Sequence, residues 1–292
     1  MSRVGFRDAV WKMKSGLNQS LAWHLIVGCT GSPPAPDQPP QVRRILEDDR
    51  YDWVALETEN TRVYYPAGSY AETQRSALPG RAEDARATVL RRLSGVEYRD
   101  LLHLFYVDSR EDMVNLTGNP VTGFSYFSDH AVVIVFNEGW RAFERHELAH
   151  AITLDSWGTP AGPSVVEGLA TQVDGECGGY ENGRMARTAL DQGAMIPLEA
   201  LTEDFRTQDD LIAYLQAASI IEFMVHRMGP EAVSRLWDQG LQVSPALLGT
   251  SAVSFRAEFE NWLAASYDPV PATAWEAVRS GGCGIDARRG GQ

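Results

Sequence analysis

The sequence predicts an α+β fold, in which an N-terminal lobe built on a mixed β-sheet with helices precedes a C-terminal helical lobe. Three observations lead there. Alternating or continuous apolar runs of strand length fall at 61–65, 102–107 and 123–136. After Asn137 the apolar residues recur at helical spacing instead. The chain has 292 residues, 44% hydrophobic and 22% charged. That is the mix of a folded soluble chain, long enough for one large or two modest domains.

The first 40 residues differ from the rest. Arg3, Arg7, Lys12 and Lys14 make a positive start, the apolar stretch Leu21–Val27 follows, and Gly28-Cys29 closes it. This is the layout of a secretory signal. Ile26-Val27-Gly28-Cys29 resembles a bacterial lipobox, which implies a lipidated Cys29 as the new N-terminus and a membrane anchor through that lipid alone. Residues 1–29 are therefore read as signal peptide, with a cytoplasmic tail as the other reading. Thr30–Pro40 is Pro-rich and suits a tether, so 30–53 is assigned as linker and lead-in, and 54–279 as the folded domain.

Within that domain, Thr61–Tyr65 alternates and stops at Pro66, as a strand does. Ala82, Ala85, Val89, Leu90 and Leu93 share one helical face, closed by Gly95. Leu102–Val107 reads as a strand. Gly123–Phe127 and Ala131–Phe136 flank Ser128-Asp129-His130, the pattern of a hairpin. Trp140–Leu154 is expected as one helix, Asp155–Pro163 as a Gly/Pro loop, and Ser164 as the opening of the next helix. Leu211–Met228 is a long apolar helix ended by Gly229-Pro230. Ser254–Tyr267 is another, with Phe255, Phe259, Trp262 and Leu263 on one face. Residues 280–292, rich in Gly and Arg, read as a flexible tail.

Acidic residues outnumber basic ones by 39 to 26, for a net charge of −13. A chain this acidic lacks the cationic surface that nucleic-acid binding through phosphates requires. It likewise lacks a basic patch for an anionic membrane. Its longest clean apolar run, Ala131–Phe136, is far short of the roughly 20 residues of a spanning helix. With Cys29 assigned to lipid, Cys177 and Cys283 remain, each in a glycine-rich turn. They are either a disulfide in an oxidising compartment or two free thiols.

The chemistry concentrates in Arg145-His146-Glu147-Leu148-Ala149-His150. His146 and His150 lie four apart on a helix, about one turn, so both imidazoles project from one face. Two ring nitrogens so placed can meet one Zn²⁺ at about 2.0–2.1 Å. Glu147, about 100° round the helix, is placed to act on a metal-activated water as general base. A catalytic zinc needs a third protein ligand and an open position. Thr153 and Ser156 stand where a third histidine six residues after His150 would need Gly and His, so that arrangement is excluded. The best candidate is Glu167 in Ser164-Val-Val-Glu167-Gly-Leu-Ala170, which lies 17 residues after His150, across the Gly/Pro loop. Ser164-x-x-Glu167 is also a capping box, in which the carboxylate would turn back to the helix start.

His146-Glu-x-x-His150 with Glu167-Gly-Leu-Ala170 resembles the gluzincin metallopeptidases, and more closely the bacterial peptidase MA-like group, often lipoproteins. The likeness spans most of 54–240, including Tyr64-Tyr65, the Gly123-Phe124 turn and Tyr214–Gly229. It implies a zincin-like fold with its metal site in the cleft between the lobes, and a peptide or protein as substrate. His146, His150 and Glu167 would hold zinc, and Glu147 would be the base. The 131–136 strand or its hairpin partner would be the edge that pairs with an extended peptide. Many gluzincins place an Asp four residues after the ligand Glu to orient a zinc histidine. Here that residue is Thr171, with Asp174 nearly one turn further. Tyr214 and His226 are the two candidates for stabilising the oxyanion. His103 and His130 read as structural. The expected activity is zinc-dependent peptide hydrolysis at the cell envelope, with a cytoplasmic location as the variant. The alternative from another class is a catalytically inactive zincin-fold lipoprotein acting as a binding or assembly module.

Overall fold

A computed structural model describes residues 38–93 and 95–288. The signal and lipobox reading, with Cys29, lies outside the described residues. The chain begins with α1 (Pro40–Leu46), β1 (Trp53–Glu57), β2 (Thr61–Pro66), the single turn α2 (Tyr70–Thr73) and α3 (Leu78–Arg92). It continues with β3 (Leu102–Val107), α4 (Arg110–Thr117), β4 (Gly123–Tyr126) and β5 (Ala131–Val135). The helical half holds α5 (Glu144–Trp157), α6 (Pro163–Asp174), the small ribbon β6 (Glu176–Cys177) and β7 (Tyr180–Glu181), and α7 (Asn182–Asp191). It ends with α8 (Leu198–Glu203), α9 (Asp210–Met228), α10 (Ala232–Gln239), α11 (Ser244–Leu247), α12 (Ala252–Ser266) and α13 (Ala272–Gly281).

The five-stranded sheet has the order β1-β2-β3-β5-β4. β2, β3 and β5 run parallel, while β1 and β4 pair antiparallel at the two edges. β3 is buried at every residue, as a central strand covered on both faces must be. Alternate side chains go to opposite sides. Leu102, Leu104 and Tyr106, with Val132 and Ile134 of β5, pack into the larger core with α3, α5 and the helical half. Phe105 and Val107, with Ala131, Val133 and Val135, pack under α1 and α4.

Within the segment assigned as linker and lead-in, residues 40–53 are part of the fold. Val42 and Ile45 of α1 are buried against the second face of the sheet. Pro40, read as tether, occupies the first turn of this helix, where a missing N–H costs nothing. The tail is also ordered at least to residue 288. Cys177 and Cys283 form a disulfide, with Cα atoms 4.3 Å apart. Beyond it Ala287 is buried, and its N–H donates to the Gly178 carbonyl. The helix expected at Trp140–Leu154 starts later, at Glu144, and runs on to Trp157. Asn137 and Trp140 form a bridged turn, and the Arg141 N–H donates to the Gly284 carbonyl of the tail. The bridge and the bond to the tail hold residues 137–141 in a turn ahead of the helix. Among the described residues no helix is long and apolar enough to cross a membrane.

His103, inside β3, is structural as expected. Its Nδ1 lies 3.2 Å from the Tyr64 hydroxyl, and the two rings stack. Burial, helped by Arg62 and His130 against the pull of Asp129, holds its pKa down at about 4. The unfolded chain takes up the proton near pH 6.5, so between pH 6.5 and 4 the unfolded state binds more protons than the native one. Stability is full above this window and falls as pH drops through it. We expect urea unfolding to show a loss of about 2 kcal/mol from pH 7 to pH 5 from this group, and His103→Gln to remove that part of the slope.

Candidate metal centre

The site is assembled by α5 and α6. Helix α5 is fixed at its first turn by the buried Glu144. Arg81 of α3 donates to its Oε1 through Nε at 3.0 Å and Nη2 at 2.7 Å, and the Tyr106 hydroxyl of β3 donates at 3.1 Å. A carboxylate in the first turn also suits the helix dipole. This clamp sets the rotation of α5 and hence where its later residues point.

Helix α6 crosses beside α5 and is held at its C-terminal end from two sides. Arg92 Nη1 donates to the Gln172 and Val173 carbonyls at 2.9 and 2.8 Å. Arg141 pairs through both terminal nitrogens with the buried Asp174. Asp174 is thereby committed to Arg141 rather than to a site histidine. The Thr171 hydroxyl is buried with no partner among the described residues.

His146 and His150 present their Nε2 atoms 3.0 Å apart. Glu167 Oε2 lies 3.4 Å from the first and 3.2 Å from the second. The capping-box alternative for Glu167 is not what forms. α6 starts at Pro163 behind Gly162 and makes no side-chain cap bond, so the carboxylate is free to face the histidines. Burial works against charge on Glu167 and is the largest single influence. The charge of His150 and the hydrogen bonds to His146 and His150 outweigh it and hold the carboxyl far below its usual range. Burial likewise opposes charge on His146, but Glu167, assisted by Glu147 and Asp174, raises its pKa. The clasp sets one carboxylate against two ring nitrogens at short range, a donor set that suits a divalent cation.

Glu147 is buried at the same helical turn. Ser125 Oγ of β4 lies 2.8 Å from both its backbone carbonyl and Oε2, which ties the carboxylate to the edge strand. β4 approaches closely because residue 123 is glycine. A Cβ there would overlap the Glu147 side chain from Cγ to Oε1. Tyr214 of α9 closes the other side, its ring parallel to His146 at 6.3 Å with Phe205 behind it. Burial, with Glu167 and Asp210 adding to it, keeps its hydroxyl protonated well above the ordinary range. Among the described residues that hydroxyl has no hydrogen-bond partner.

The structure thus brings together His146, Glu147, His150, Glu167 and Tyr214. His226 is elsewhere, exposed at the far end of α9 and packed on Trp262. Twelve residues separate it from Tyr214, about 18 Å of helix, so it takes no part in the site. Ser125 and Phe205 were not read from the sequence, since a serine in a short strand carries no signal of its long-range partner. Gly168 did carry one. A glycine inside a helix destabilises it and asks for a packing reason, and here α6 lies so close to α9 that a Cβ would stand 2.8 Å from the Ala217 Cβ and 3.0 Å from its carbonyl carbon.

No family model and no curated protein matches the chain.

An exposed helical Gly→Ala change normally stabilises by up to about 1 kcal/mol. At Gly168 the sign reverses. We expect Gly168→Ala to destabilise by about 1–3 kcal/mol through overpacking, read as a lowered urea midpoint. A neutral or raised midpoint would contradict the close approach of α6 to α9.

Proposed function

We propose that this protein is a zinc-dependent metallopeptidase of zincin-like fold, related to the gluzincins that its motifs resemble. The observation that carries the reading is the triangle of His146, His150 and Glu167 donor atoms, with sides of 3.0, 3.2 and 3.4 Å. A tetrahedral ion with bonds of about 2.0–2.1 Å requires ligand atoms about 3.3–3.4 Å apart. The donor set, two imidazoles and one carboxylate, is among those that zinc takes in peptidases.

When bound, zinc supplies Lewis acidity that polarises a scissile carbonyl and lowers the pKa of water. The chain's own residues do the rest. Glu147 accepts the proton of the attacking water and returns it to the departing amine, as a general base that becomes a general acid. Ser125 keeps that carboxylate against β4. The Tyr214 hydroxyl, neutral and without a partner among the described residues, donates to the oxyanion that develops on the substrate. β5 is interior to the sheet, so of the two hairpin strands it is β4 whose outer edge accepts an extended peptide. The disulfide supports a location at the cell envelope, anchored through Cys29 or secreted, because such bonds persist in oxidising compartments.

Glu147→Gln is expected to lower hydrolysis of a degenerate quenched-peptide library by about 10²–10⁴-fold while the chain keeps the zinc that His150→Ala loses. Gly123→Ala, which displaces the same carboxylate, should lower the rate with metal content unchanged. A Glu147→Gln chain as active as the parent would refute the assignment.

A further inference from the structure

A second convergence of metal-ligating side chains lies away from this centre. Asp100 precedes β3, His130 sits at the tip of the β4–β5 hairpin, and Asp155 belongs to the last turn of α5. One ligand atom from each lies within 4.8 Å of the other two. Three features set this group apart from a chance meeting of surface charges.

The first is the state of the imidazole. His130 Nδ1 is 2.6 Å from the Tyr98 hydroxyl. In the tautomer whose proton sits on Nδ1 the ring donates to Tyr98 and offers a lone pair at Nε2, and a bound cation selects that tautomer. A partner on the second ring nitrogen is the usual support of a metal-bound histidine. Tyr98 is itself buried, and burial with the charges of Asp155 and Asp100 keeps its hydroxyl protonated.

The second is charge. Neither Asp100 nor Asp155 forms an ion pair or hydrogen bond among the described residues. Arg86, which lies close by, gives its Nη2 to the Tyr98 carbonyl instead, at 2.6 Å. Asp155 also stands at a helix C-terminus, where the helix dipole already favours a cation over an anion.

The third is origin. The three side chains come from three separate elements, so an ion between them would cross-link the fold. Asp100 and Asp155 are exposed.

We propose that Asp100, His130 and Asp155 form a second divalent-cation site that pins the tip of the β4–β5 hairpin to α5. One nitrogen and two carboxylates suit zinc or a neighbouring first-row ion better than calcium or magnesium, which take all-oxygen sets. The role is structural. α5 carries His146, Glu147 and His150, and β4 carries the Ser125 that holds Glu147. An ion at the hairpin tip fixes these two elements to each other at a point remote from the reaction.

The test titrates the tag-free full chain, stripped with chelator, with zinc chloride alone. The parent chain should bind two equivalents at micromolar zinc. Asp155→Ala should bind one, as should His130→Asn, which keeps a residue tolerant of the left-handed backbone at that position. Pairing Asp155→Ala with His150→Ala should bind none. Asp155→Ala places a good helix former at an exposed site, and its metal-free melting temperature should be no lower than the parent's. Parent-like stoichiometry in both Asp155→Ala and His130→Asn would overturn the proposal, as would a second equivalent that appears only at millimolar zinc. Loss of an equivalent in Asp155→Ala with none lost in His150→Ala would support this site and refute the first.

Discussion

Three donor atoms from two helices stand 3.0–3.4 Å apart with the carboxylate of Glu167 among them, and most of what surrounds them serves to hold that spacing. Its tolerance is small. A rotation of α5 by one residue, about 100°, would take both imidazoles off the face that Glu167 meets. The fold meets this constraint by fixing α5 and α6 independently. Glu144 locks the start of α5 to α3 and β3, and Arg92 and Arg141 secure the far end of α6. Gly168 lets α6 settle on α9, and α9 in turn delivers Tyr214.

The sheet contributes one edge. With β3 central and the helices α1 and α4 closing its second face, β4 is left outermost, directly over Glu147. The position of Glu147, the proposed general base, and that of the sheet's outer edge are consequently linked, through Ser125 and the missing Cβ of Gly123. The C-terminal tail packs on the segment that leads into α5. Held by Cys177–Cys283, it accepts the Arg141 amide through the Gly284 carbonyl.

Much of this was legible in the sequence wherever the signal was local. The strands at 61–66 and 102–107 and the hairpin around His130 follow from runs bounded by Pro, Asn, Asp or Gly. The His146-Glu147-x-x-His150 spacing defines a helical face without any tertiary information. Glu167 was open between ligand and cap, and the start of α6 at Pro163 removes the cap. What could not be read depended on distant partners. Trp140–Phe143 has apolar spacing that continues the helix, but Asn137 bridges to Trp140 and Gly284 binds the Arg141 amide, which keeps the start of this segment in a turn. Pro39-Pro40 looks like tether until Val42 and Ile45 find the sheet. The glycine-rich end looks frayed until Cys283 is paired. Tyr214 and His226 lie 12 residues apart on one helix, too far to share one ion, and the choice between them depended on which end of α9 packs beside His146.

The central claim is that His146, His150 and Glu167 together hold zinc. The most direct measurement is a crystal of the zinc-loaded chain with anomalous data collected on both sides of the zinc edge. The account predicts an edge-dependent peak about 2.0–2.1 Å from the two Nε2 atoms and from a Glu167 oxygen. Zinc-saturated crystals with no such peak at these three residues would contradict it.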